Sequence, residues 1–140
     1  MKQTKHAAVV GSGLVGSLWT TFLAQRGYRV DVFDRADLKA YREKSVAMTE
    51  VLLGLLDRVA QQTGQKIRVL TPRDPHHRGC QISVQFEGRD RSFFDALVAK
   101  GVYADWREPG TVRMALAPLY SSYKDLARLE VLLSETLAQP

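Results

Sequence analysis

A single cysteine, Cys80, and only three histidines occur among 140 residues. One thiol closes no internal disulfide and builds no cysteine-based zinc centre. Five prolines and no glycine–serine tract leave no compositional linker. No apolar run approaches the ~18 residues of a membrane-spanning helix, which excludes an integral helical membrane protein. No signal-peptide cleavage pattern follows the short basic start, so a cytoplasmic protein is expected. A stripe of one charge sign is also missing. The 20 basic and 15 acidic side chains give +5, with five basic and three acidic residues in 1–37 and fifteen and twelve in 38–140. A nucleic-acid-binding surface would gather its cations, so neither nucleic acid nor membrane is an expected partner. The surplus suits solubility or an anionic small molecule.

What is present is 45% apolar content in a chain of about one domain's length. Residues 6–10 are an apolar strand. Residues 14–25 place Leu14, Leu18, Trp19, Phe22 and Leu23 at helical spacing, Gly27 ends that helix, and 28–33 is a β-branched and aromatic strand. Asp37 is placed to cap a long helix reaching about residue 62, with Tyr41, Met48, Leu52, Leu55 and Val59 on one face and Val51 and Leu56 widening it. Its acids Glu43, Glu50 and Asp57 recur every seven residues, as on a solvated face. Strands follow at 66–70, 79–86, 102–106 and 111–116, with helices at 90–100 and from Ser122, where Asp125 completes a capping-box spacing. Ile82, Val84 and Phe86 share one strand face, and Val112, Met114 and Leu116 another. His76 and His77 read as a solvated loop, Cys80 as a small buried strand residue, and Tyr120 and Tyr123 flank a turn. No metal site is expected.

Gly11-Ser12-Gly13-Leu14-Val15-Gly16 is a G-x-G-x-x-G turn that follows a strand and opens a helix, with Asp34 ending the next strand. Small residues there permit a tight turn and a close pyrophosphate, and the helix N-terminus favours anions. With the Gly-Leu-Val-Gly-Ser stretch and Val30-Asp31-Val32-Phe33-Asp34-Arg35, residues 1–36 resemble the amino terminus of kynurenine 3-monooxygenase, a FAD-dependent hydroxylase using NADPH. The resemblance implies Gly11, Gly13, Gly16 and Asp34 as FAD-binding residues, Asp34 standing where that family usually has glutamate. The rest of that enzyme, including its second FAD motif, has no counterpart in this sequence.

Arg113 sits on a strand whose other face is apolar, so its guanidinium points away from the local core. That is where an ordinary solvent-facing arginine sits, and its planar fork also suits a carboxylate. Asp105 and Glu108 are the expected acids nearby. Tyr41-Arg42-Glu43-Lys44-Ser45-Val46-Ala47-Met48-Thr49, Thr71-Pro72, Arg78-Gly79-Cys80-Gln81-Ile82-Ser83, Gly101-Val102, Asp105, Arg107, and the run from Val112 through Arg113 and Pro118-Leu119-Tyr120 to Ser122 follow in order. Together they resemble the carboxy-terminal domain of kynureninase, a pyridoxal-phosphate-dependent hydrolase that cleaves kynurenine or 3-hydroxykynurenine to an anthranilate and alanine. The resemblance implies Arg113 as the residue that grips the substrate α-carboxylate. Lys44, Lys66, Lys100 and Lys124 match no cofactor-lysine motif, so no catalytic residue is assigned.

The expected architecture is α/β (α+β): the small domain of fold-type-I pyridoxal-phosphate enzymes at 37–140, preceded by a truncated Rossmann-like β-α-β segment at 1–36. Both resemblances point to tryptophan breakdown, as a join between the start of one enzyme and the end of another. The expected function is a kynureninase-like domain that contributes Arg113 and is not catalytic alone. Its expected partners are a missing large domain or a second copy, and a kynurenine-type small molecule. The alternative is a kynurenine 3-monooxygenase fragment acting as a nucleotide-binding or interaction module. The short β-α-β segment is expected to pack on the 37–140 sheet or pair across a dimer, since two strands and one helix are too small to fold alone.

Overall fold

The computed structural model describes residues 5–10, 14–33 and 35–138. The chain divides into two compact units, Met1–Glu43 and Lys44–Pro140.

In the first unit, β1 (Lys5–Val10) and β2 (Tyr28–Phe33) pair in parallel, joined by α1 (Leu14–Gln25). Gly27 adopts φ +77°, a left-handed conformation that costs an L-residue with a Cβ but not glycine, and so turns the chain from α1 into β2. The apolar side chains at helical spacing in α1 are largely outside: Leu18, Trp19 and Phe22 are exposed, and Leu23 is half-buried. A two-stranded sheet covers only one narrow flank of a helix. The outward rings pack on each other instead, with Trp19 edge-on to Phe22 at 5.5 Å and the Arg26 guanidinium 3.6 Å over the Phe22 ring.

The 29-residue helix α2 (Arg35–Thr63) begins before Asp37. Arg35 and Ala36 are good helix formers and extend it, so Asp37, expected as the cap, lies inside the first turn. Beyond α2 come β3 (Ile67–Val69), a single 3-10 turn at Pro75–His77, β4 (Gln81–Phe86), α3 (Arg91–Ala99), β5 (Asp105–Arg107), β6 (Thr111–Ala115) and α4 (Tyr123–Leu137). The strands form an antiparallel sheet of order β3-β4-β6-β5. Ile82, Val84, Phe86, Val112 and Met114 line its buried face and join one core with Met48, Leu52, Leu55, Leu56 and Val59 of α2, Phe93, Phe94 and Leu97 of α3, and Leu126, Leu133 and Leu137 of α4.

Three local readings change. Val51 is exposed while Leu53 is buried, because the covered arc of α2 is rotated toward Ser45, Thr49 and Leu56. Thr49 tolerates this by donating its hydroxyl back to the Ser45 carbonyl at 2.9 Å. Residues 102–104 carry no strand pairing, so β5 starts only at Asp105, although Val102 and Ala104 pack against the core. Cys80 is half-buried just ahead of β4, its carbonyl accepting from the Leu116 N–H at 2.9 Å. The Ser122–Asp125 capping box forms at the start of α4 as its spacing predicts.

The acids of α2 do more than face solvent. Asp57 takes a two-pronged hydrogen bond from Arg73 at 2.6 and 2.9 Å. Glu50 accepts from Arg78, whose side chain is 0% exposed. Arg78 also donates to the Thr49 hydroxyl at 3.3 Å and to the Arg73 carbonyl, so its buried cation is neutralised and hydrogen-bonded at once. This pins the loop between β3 and β4 onto α2. Arg78→Ala leaves the Arg73 carbonyl and Thr49 without a donor and opens a hole, while Glu50, 54% exposed, simply rehydrates. The expected loss is about 2–4 kcal/mol of unfolding free energy by chemical denaturation. Arg73→Ala, which breaks a pair more than half exposed on the arginine side, is expected to lose only about 0–1 kcal/mol.

Candidate functional site

Strand alternation decides where Arg113 goes. With Val112 and Met114 buried, Arg113 must project from the opposite, open face of the sheet. Antiparallel register sets Ser83 of β4 on one side of it and Asp105 of β5 on the other. Arg107, two residues along β5, shares that face, and Gln85 and Thr111 form the next row, with Gln85 Nε2 donating to Thr111 Oγ1 at 3.3 Å.

The Arg113 side chain is 34% exposed and binds Asp105 with both Nε, at 2.9 Å, and Nη2. Arg107 Nε donates to the same Oδ2 oxygen at 3.0 Å. Two guanidinium groups thus share one carboxylate, leaving a net positive charge on the face. Glu108, the other acid expected beside Arg113, instead accepts from Trp106 Nε1 at 2.9 Å. The Arg113 hydrogen bond, aided by the charges of Arg107 and Arg113, holds the Asp105 carboxyl below its ordinary range. Sequence reading gave Arg113 as the site residue with Asp105 and Glu108 nearby; Arg107 entered only in the kynureninase-like pattern, because the strand was expected to end at residue 106, whereas β5 runs to Arg107.

Of the glycine-turn residues, Gly16 falls near the start of α1, while Gly11, Gly13 and Asp34 lie outside the described residues. Helix α1 begins at Leu14, within the glycine motif, and connects two parallel strands. His76 and His77 are exposed on the 3-10 turn. Among the described residues no group of three His, Cys, Asp or Glu side chains could hold a metal ion, and no helix is long and apolar enough to cross a membrane.

Residues 41–133 match the family model described as kynureninase C-terminal domain. The chain belongs to that family. Over 99 residues it is 41% identical to the kynureninase of Koribacter versatilis (strain Ellin345), covering 71% of this chain and 23% of that protein. It is 34% identical over 116 residues to the kynureninase of Flavobacterium johnsoniae, covering 83% and 27%, and 32% identical over 110 residues to that of Monosiga brevicollis, covering 77% and 24%. The chain therefore spans about a quarter of the length of these curated kynureninases. Residues 9–39 match a second model, described as an NAD(P)-binding Rossmann-like domain, which names no monooxygenase.

The kynureninase-type cofactor would need an amine in an enclosed site, and the lysines of the second unit do not offer one. Lys44 donates to the carbonyls of Pro118, at 2.6 Å, and Ser121. Lys66 pairs with Glu87, Lys100 with Thr136 and Glu135, and Lys124 is exposed on α4. A cleft of about 410 Å³ is lined by Val102, Ala104, Met114, Leu116, Leu126 and Leu129 among others, but by no lysine. The described residues of this unit do not fit pyridoxal phosphate.

Because Asp105 is more acidic in the folded chain than in the unfolded one, its pair with Arg113 stabilises above the unfolded carboxyl pKa of ~3.9 and is lost as pH falls through the lower folded value. Arg113→Ala is expected to shift the thermal midpoint slightly at pH 7, since the pair is open to solvent. The difference from the native chain should shrink further below pH 4. A large loss at neutral pH would show an architectural role for Arg113.

Proposed function

We propose that residues 37–140 form the carboxylate-binding small domain of a kynureninase-type hydrolase in tryptophan catabolism, with Arg113 gripping the α-carboxylate of a kynurenine-type substrate. The observation that carries this is the placement of Arg113 on an open sheet face, one third exposed and in a locally cationic cluster, within a domain of the kynureninase family. An arginine fork donates two parallel hydrogen bonds to a carboxylate, which suits it to this task. The chemistry itself needs pyridoxal phosphate as electron sink and a lysine to hold it. Both belong, by the family resemblance, to a large domain that lies outside residues 37–140. Residues 1–36 are read as a shortened FAD-type β-α-β unit resembling kynurenine 3-monooxygenase.

Titration of the purified chain with L-kynurenine is expected to show weak binding that Arg113→Ala abolishes. Mixed with pyridoxal phosphate and kynurenine, the chain should develop no Schiff-base absorbance and release no alanine. Binding unaffected by Arg113→Ala would overturn the role of Arg113. A visible band fixed by borohydride onto a lysine would overturn the division of labour.

The β1-α1-β2 arrangement and the Rossmann-like match favour a second reading, in which the glycine turn holds a dinucleotide phosphate. Two strands bury little of such a ligand. Calorimetry with FAD and with ADP is expected to show weak binding at best. Micromolar affinity lost on Gly13→Val would move the function to this unit.

A further inference from the structure

We infer that Asp105 is a positioning residue that holds Arg113 by one edge and leaves its other edge to receive a carboxylate. This rests on the reading of Arg113 given above and adds how that residue is presented. A guanidinium offers two binding edges, the side formed by Nε and one terminal nitrogen, and the end formed by the two terminal nitrogens. Asp105 occupies the side edge, accepting from Nε and Nη2. Among the described residues nothing engages Nη1, so the end edge keeps donors for a ligand.

The surroundings favour the same division. Arg107 binds the same oxygen of Asp105, so the carboxylate is anchored from two sides and does not depend on Arg113 for its place. Asp105 and Arg113 face each other in the β5–β6 register, which fixes their separation through the backbone. On the other flank stands Ser83, an uncharged neighbour, so an incoming carboxylate meets no second acid in that register position. Arg107 and Arg113 together outweigh the one negative charge of Asp105, and the cluster still attracts anions.

Two effects oppose each other when Asp105 is removed. The cationic face gains charge, which helps an anion. Arg113 also loses its orientation, and binding must then immobilise a free side chain. Asp105→Asn and Asp105→Ala remove the same charge, but asparagine keeps a carbonyl acceptor. Their difference reports orientation alone.

The experiment is an NMR titration of the full chain with L-kynurenine, with its decarboxylated analogue as control, following the Arg113 Nε–H signal. The native chain should show that signal protected from water exchange, and kynurenine should leave it protected. Asp105→Ala should lose the protection and bind kynurenine about 2–10-fold more weakly than Asp105→Asn. Equal affinities for the two variants would overturn the inference, as would collapse of the Nε–H signal on ligand binding, which would make Asp105 a competitor that the ligand displaces. If Arg113→Ala binds kynurenine as the native chain does, the proposed function fails. The Nε–H signal in Asp105→Ala then still decides whether Asp105 holds the guanidinium.

Discussion

The pairing of β4 with β6 governs the rest of the second unit. Ile82, Val84, Val112 and Met114 must all reach the core, and in that register Ser83 and Arg113 have no choice but the open face. A slip of one residue would bury a guanidinium and expose two apolar side chains, so the hydrophobic pattern locks the register. β5 then joins β6 in the register that sets Asp105 beside Arg113. The charged cluster on the surface is a consequence of what is buried beneath it.

Arg78 and Arg113 show where local sequence suffices and where it does not. Strand alternation alone already sends Arg113 outward. Arg78 stands in a polar loop that gives no sign of burial, yet its side chain is enclosed by Glu50, Thr49 and the Arg73 carbonyl. An arginine can be buried only where a counter-charge and acceptors converge. For Arg78 those come from a helix nearly thirty residues earlier in the chain, a juxtaposition that no local window contains. The same convergence turns Glu50 and Asp57 from an apparently solvated face into anchors for the loop between β3 and β4.

The kynureninase-family domain presents its arginine on a sheet face rather than inside a pocket. The cleft beside α4 is lined by Met114 and Leu116, from the buried side of the alternation, so Arg113 does not open into it. A carboxylate held at Arg113 would be covered on one side only by this domain. The matched stretch spans only about a quarter of each kynureninase. The first unit has a comparable character: a parallel strand pair and one helix bearing exposed Leu18, Trp19 and Phe22.

The sequence by itself determined the element order, the capping box at Ser122, the glycine stop at Gly27, the period-2 faces of β4 and β6, and through them the outward direction of Arg113. Each depends on backbone geometry or alternation within a few residues, so a short window carries the information. Only the tertiary structure decided that Asp105 rather than Glu108 meets Arg113, that Arg107 shares the same oxygen, that Arg78 is buried, and that the covered arc of α2 takes Leu53 in place of Val51. These follow from strand register and from which helix flank the sheet covers. Both are properties of segments far apart in the chain, fixed only when the core closes around all of them together.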